Sequence, residues 1–190
     1  MNDRSRLLAD PAWRLIIAGD GAMRQELAQA AALRVPGRVH FAGHLGDRNE
    51  LADLYANCDI FVHPNPREPF GIALLEAMAS GLPLLAPRSG GLTTFANEGN
   101  AWLACPNGTA FASAASNIVN NPSLTNAKLL RARATAEEHD WPVVASNYLA
   151  LYDELHRLRS GSIELPSIAP GFYSTPGDRF GRELRTVTGN

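Results

Sequence analysis

From Trp13 onward, short apolar runs alternate with longer stretches of mixed polar and apolar periodicity. Trp13-Arg14-Leu15-Ile16-Ile17-Ala18 reads as a strand, Gly19-Asp20-Gly21 as a tight turn, and Met23 to Arg34, rich in Ala, Leu, Gln and Glu, as a helix. The pattern returns as Arg38 to Ala42 with Asn49 to Cys58. It returns again as Asp59 to His63, a loop from Pro64 to Pro69, and a helix from Gly71 to Ser80. Pro83 to Ala86 and the weaker run Ala101 to Ala104 supply two more strands. Continuous apolar strands separated by helices need cover on both faces, which a parallel sheet with right-handed crossovers provides. The expected fold is therefore α/β, a doubly wound, Rossmann-like parallel sheet. After Gly108 the strands cease, and trailing helices are expected over Thr109 to Val119, Ser123 to Glu138 and Trp141 to Leu158.

The two ends read differently. Arg4 to Ala9 is the end of a helix, stopped at Asp10-Pro11 because proline restricts the residue before it. Residues 1–12 are thus expected to be the end of a truncated helix and a linker, with residues 13–159 as the domain. From Ser160 to Asn190 the periodicity disappears, with five glycines and three prolines in that stretch, and an irregular or disordered tail is expected.

Composition changes this picture mainly by exclusion. A formal net charge of -2 with 19% charged residues gives no basic footprint for a nucleic acid or an anionic membrane. The apolar runs are broken well before membrane-spanning length, and Met1 to Pro11 has no apolar signal core. Cys58 and Cys105 lie far apart with no CxxC or Cys/His spacing, against a disulfide framework or a structural zinc site. A reduced, cytoplasmic setting is the expectation.

Two glycine-rich places could bind a ligand. In Gly19-Asp20-Gly21 the third position of a GxGxxG pattern is Arg24, and the next strand ends in Gly43-His44 rather than in an acid, so the dinucleotide fingerprint fails. That turn is expected to be structural, with Asp20 or a neighbour capping the helix. The stretch Glu68-Pro69-Phe70-Gly71-Ile72-Ala73-Leu74-Leu75-Glu76 combines a loop carboxylate, a glycine at a helix start and a second carboxylate on the helix. Unpaired amides and the dipole at a helix start favour an anion, and Gly71 lets a phosphate come near the backbone. At about 100° per residue, Ile72, Leu75, Met78 and Ala79 are expected to face the core, with Glu76 on the margin of that stripe beside the small Ala73 and Ser80. A carboxylate so placed can accept two hydrogen bonds from vicinal hydroxyls such as those of ribose. Glu68, a sugar-diphosphate length away, could hold hydroxyls of a sugar. Each acid also has an ordinary reading, Glu68 as a first-turn acid favoured by the dipole and Glu76 as a partly buried acid paired with an arginine.

Glu68 to Glu76 resembles the E-x7-E motif of retaining glycosyltransferases of the GT-B fold, in particular the large family 4 that includes sucrose synthases and bacterial mannosyltransferases. The resemblance extends to Leu15 to Gly21, Val39 to His44, Leu54 to Pro64 and Ser89-Gly90-Gly91, and it runs from about Trp13 to about Leu158. It implies the carboxy-terminal, donor-binding half of such an enzyme. By the resemblance Glu76 binds the donor ribose and Glu68, the catalytic residue, holds the donor hexose. Phe70, Gly71, Ile72 and Ala73 line the sugar-diphosphate pocket, and Leu45 packs on the nucleotide base. His44 and His63 are read as loop and strand-end residues rather than ligands or bases. No metal and no other cofactor is implied. The substrates are a nucleoside-diphosphate sugar and a carbohydrate or lipid-linked acceptor.

The departures shape the expectation. The family's amino-terminal acceptor domain, and the Arg and Lys that clamp the diphosphate, lie upstream of the matched text. Arg14 does not match the position of either. Where the family often has a glutamate after the Gly-Gly pair, this chain has Thr93-Thr94. Since transfer depends on stabilising charge on the departing diphosphate, the chain alone is expected to be inactive or very weak without an acceptor domain or subunit. The alternative is a non-catalytic fragment or regulatory module that binds a nucleotide sugar without transfer. A sugar-nucleotide epimerase is a third reading, less close to the local text.

Overall fold

The computed structural model describes residues 13–159. The helix end expected at Arg4 to Ala9 and the tail expected from Ser160 lie outside the described residues. The elements run β1 (Leu15–Ala18), α1 (Arg24–Arg34), β2 (Val39–Gly43), α2 (Arg48–Ala56), β3 (Phe61–Val62), α3 (Ile72–Ala79), β4 (Leu84–Pro87), β5 (Trp102–Ala104), α4 (Gly108–Asn120), α5 (Pro122–Glu138) and α6 (Trp141–Arg159). Each is where the apolar pattern places one. The pattern missed a short 3-10 turn over Gly91–Thr94, and it drew β3 too long. The ladder there continues one residue beyond Val62, through the His63 amide donating to the Leu85 carbonyl at 2.9 Å.

Every strand pairing is parallel, as expected for this alternation, but among the described residues the strands form two sheets, β1-β2 and β3-β4-β5. Trp13 and Ile60, which precede β1 and β3, pack on the same hydrophobic cluster. β4 is buried along its whole length, and its period-2 alternation serves two cores. Leu84 and Ala86 join Leu74 and Met78 of α3, Phe95 and Ala132, while Leu85 joins Trp102, Ala115 and Ile118. Helices on both faces of a parallel sheet are the arrangement its apolar strands require. The described residues divide into two compact units after Val144, so α6 continues into the second from Ala145.

The buried face of α3 corrects the expectation. Leu74, Ala77 and Met78 are buried, whereas Ile72 is 64% exposed and Glu76 lies on the exposed side with Ala73, Ala79 and Ser80. Glu76 is the one charged residue of this helix, so apolar periodicity alone does not select a face. Packing against α5 and β4 does. The turn after β1 also differs in detail: Asp20 Oδ1 accepts from the Gly21 amide at 2.8 Å, and Met23, with no side-chain bond, caps α1. By contrast Asp47 caps α2 through the amides of Asn49 and Glu50, and Asn107 caps α4 through that of Ala110.

Two buried polar groups tie α5 to the chain around β5. Asn100 donates to the Phe95 carbonyl at 2.8 Å and to Thr135 Oγ1 at 3.0 Å, and accepts from the Asn97 amide at 2.8 Å. Lys128 donates from Nζ to the Ala101 carbonyl at 2.7 Å and sits 4.4 Å from the centroid of the Trp102 ring. Burial pulls the Lys128 ammonium below its ordinary range, partly offset by Glu98.

Candidate active site

The loop between β3 and α3 lies at the carboxyl ends of parallel strands, where open α/β sheets bind ligands. Its sequence is stiff, with Pro64, Pro66 and Pro69 fixing φ. Asn65 Oδ1 accepts from the Arg67 amide at 3.0 Å, closing a local turn. The segment after β4 then fastens this loop from outside. Ser89 Oγ donates to the Pro66 carbonyl at 3.1 Å, and the Gly91 amide donates to the Glu68 carbonyl at 2.7 Å. Gly90, at φ 88°, leaves a Cβ position only 2.9 Å from the Glu68 oxygen, and a Cβ on Gly91 would coincide with the Pro69 carbonyl. Ser89-Gly90-Gly91, recognised in sequence only as part of the family resemblance, is thus the clamp that holds the backbone of Glu68.

Gly71 caps α3 with φ 99°, a left-handed conformation that favours glycine. It is buried, and the direction a side chain would take is filled by Leu74 Cδ1 at 2.8 Å and Glu68 Cγ at 3.2 Å. Its missing side chain therefore serves the packing of Glu68 and Leu74, a need the reading of Gly71 as an open approach for phosphate did not include. The amino end of α3 carries no side-chain cap and no acid in its first turn. Phe70, Ile72 and Ala73 are exposed there. The Phe70 ring meets Phe95 edge-on at 5.3 Å and lies 6.2 Å from His139, so the loop also leans on the carboxyl end of α5.

The two acids face separate partners, each at Oε2. Tyr55 of α2, 8% exposed and edge-on to Phe61, donates from its hydroxyl to Glu76 Oε2 at 3.2 Å and lies 3.5 Å from the Ala73 carbonyl. Glu68 Oε2 lies 3.2 Å from His63 Nε2 and 3.5 Å from Asn65 Nδ2. His63 thus stands beside Glu68 at the end of β3, and neither it nor Tyr55 was marked by any local spacing. The arginine expected as the ordinary partner of Glu76 gives way to a tyrosine. Leu45 is half-buried in the loop after β2, and His44 beside it is exposed. Arg14 points its guanidinium at the Gly37 carbonyl, 3.2 Å away. Thr93 and Thr94 turn their hydroxyls back on the carbonyls of Gly90 and Gly91, both at 2.8 Å. Cys58 and Cys105 are free thiols. Among the described residues no helix is long and apolar enough to cross a membrane, and no cluster of three or more His, Cys, Asp or Glu could hold a metal ion.

Burial, then the Glu76 charge and hydrogen bond, push the Tyr55 hydroxyl well above its ordinary value of 10.0. Burial, with the charge of Asp59, pushes the Cys58 thiol up from 9.0. Raised folded-state values mean that the stability these groups contribute is complete below their ordinary values and is lost as pH climbs past them. Lys128, shifted downward, works in the opposite sense and cancels when variants are compared at one pH. In urea denaturation compared at matched pH, the Tyr55→Phe midpoint is expected to fall less than that of the wild type as pH climbs past 10.0.

Residues 3–121 match the family described as "Glycosyl transferases group 1". A GDP-mannose-dependent α-(1-6)-phosphatidylinositol dimannoside mannosyltransferase of Mycobacterium tuberculosis is 34% identical over 137 residues, which cover 72% of this chain and 35% of that protein. A glycogen synthase of the same species is 35% identical over 147 residues, covering 75% of this chain and 35% of its own length. The chain thus spans about a third of the length of these relatives. The crystal structure of Anabaena Alr3699/HepE in complex with UDP-glucose superposes with a TM-score of 0.68 at 26% identity, over 81% of this chain and 44% of that one. The architecture corresponds to the Rossmann-like carboxy-terminal half of the GT-B fold. With a family match over more than half its length, the chain belongs to the group 1 glycosyl transferases.

Proposed function

We propose that residues 13–159 are the donor-binding domain of a retaining, metal-independent hexosyltransferase acting on a nucleoside-diphosphate sugar, with a carbohydrate or lipid-linked acceptor. The observation that carries this reading is the amino end of α3: without a side-chain cap, free of acids in its first turn, exposed at Phe70, Ile72 and Ala73 around the buried Gly71, and bracketed by Glu68 and Glu76. Helix-end amides and the dipole there favour the diphosphate and the negative charge that grows on it as the glycosidic bond breaks. Tyr55 takes one oxygen of Glu76 and leaves the other for the ribose hydroxyls. Glu68 serves the hexose. Phe70, Gly71, Ile72 and Ala73 line the diphosphate, and Leu45 packs on the base. The Anabaena relative bound to UDP-glucose supports a nucleotide-sugar donor of this kind.

The acceptor side, on this reading, is supplied by a further domain or subunit, and residues 13–159 alone transfer slowly or not at all. Arg14, Thr93 and Thr94 are engaged with backbone carbonyls. None of these three side chains is thus a cation free to neutralise the diphosphate during transfer. Calorimetry with UDP, GDP, UDP-glucose and GDP-mannose tests the site. The wild-type chain is expected to bind one nucleotide series, and Glu76→Ala to weaken it roughly thirtyfold, the worth of a charge-assisted hydrogen bond. An unchanged affinity in Glu76→Ala would remove the ribose role and with it this assignment.

A further inference from the structure

We propose that His63 is a positioning residue that aims the Glu68 carboxylate at the transferred hexose, an inference that rests on the reading of Glu68 given above. His63 follows β3, and its amide bond to the Leu85 carbonyl at 2.9 Å fixes its backbone at the carboxyl end of the sheet. Its Nε2 is shielded from solvent and has no aligned hydrogen-bond partner, yet Glu68 Oε2 stands only 3.2 Å away. A buried ring nitrogen left in this state costs free energy, and an orphaned polar atom in a folded protein asks for a reason.

The loop explains what remains to be set. Gly91 and Ser89 already hold the backbone carbonyls of Glu68 and Pro66, and Glu68 Cγ lies against Gly71. Only the outer torsions of the Glu68 side chain are left to choose where its oxygens point. His63 Nε2 and Asn65 Nδ2 converge on one of them, Oε2. With the ring proton on Nε2, a small rotation of the carboxylate brings a hydrogen bond into line and leaves Oε1 to accept from a sugar hydroxyl. Loose contacts of this kind in ligand-free sites tighten when the ligand arrives. The imidazole touches Glu68, and its effect on the sugar passes through that acid.

The test compares UDP with UDP-glucose, and GDP with GDP-mannose, on the full chain carrying His63→Leu or His63→Gln. His63→Leu is expected to lose about tenfold in affinity for the nucleotide sugar while binding the parent diphosphate as before. His63→Gln, whose amide nitrogen reaches close to the position of Nε2, is expected to restore most of that loss. Equal losses on both ligands mark a purely structural role and overturn the proposal, as does no loss at all. A second measurement needs no ligand: the imidazole nitrogen resonances of His63 are expected to move in Glu68→Gln. If they stay put, the pairing is refuted even where donor binding is intact. If they move but the wild type binds none of the four nucleotides, the pairing stands as a contact while the donor-site assignment fails and the sugar-aiming role falls with it.

Discussion

Gly91→Ala is expected to cost about 3 kcal/mol or more of folding free energy and to displace the loop that carries Glu68. The added methyl would fall on the Pro69 carbonyl, a backbone group that no side-chain rotation can move aside. Relief requires the loop to lift, which stretches the Gly91 amide bond to the Glu68 carbonyl, 2.7 Å in the native chain. Stability and donor binding therefore fall together. The comparison that isolates the cause is Gly46→Ala. A Cβ there meets nothing within 4 Å, and the change is expected to stay within about 0.5 kcal/mol. Urea denaturation of both variants, with nucleotide titration of Gly91→Ala, checks the pair. A Gly91→Ala protein as stable as Gly46→Ala would show that the clamp does not exist in solution.

Lys128→Ala is expected to destabilise the fold by about 3 kcal/mol, far more than removal of an exposed lysine. Three losses combine: the bond to the Ala101 carbonyl at 2.7 Å, the cation–π contact with Trp102, and the apolar stem of a residue only 8% exposed. Ala101 is fully buried, so its carbonyl is left without that donor. Lys128→Met restores the stem without the donor and is expected to recover only part of the loss. Thermal or urea unfolding separates the two variants, and equal stabilities for them would assign the whole effect to packing.

Much of the architecture was legible in the chain because local rules decide it. Continuous runs such as Leu84 to Pro87 belong to buried parallel strands, and Gly, Pro and Asn residues mark where helices start and stop. The break in strand pairing between β1 and β3 was not legible, since pairing is a property of distant segments. The face of α3 was misjudged for a related reason: Ile72 and Leu74 are equally apolar, and only α5 and β4 distinguish them. The candidate site divides the same way. The spacing of Glu68 and Glu76 is local and stood out, as did the glycine at the helix start. Tyr55, His63 and Gly91 act across 21, 5 and 23 positions on Glu76 and Glu68, and nothing in their own neighbourhoods announces a partner.

The fastening of the 64–71 loop also bears on transplantation. A segment spanning residues 64–76 moved into an unrelated scaffold would carry both carboxylates but leave behind Ser89, Gly91, Tyr55, Phe95 and His139, the residues that press it into shape. Such a graft would be a motif without its geometry. Exchange between homologues is expected to succeed only when the cut points enclose the stretch from α2 through His139, so that the acids and their buttresses travel as one inheritable block.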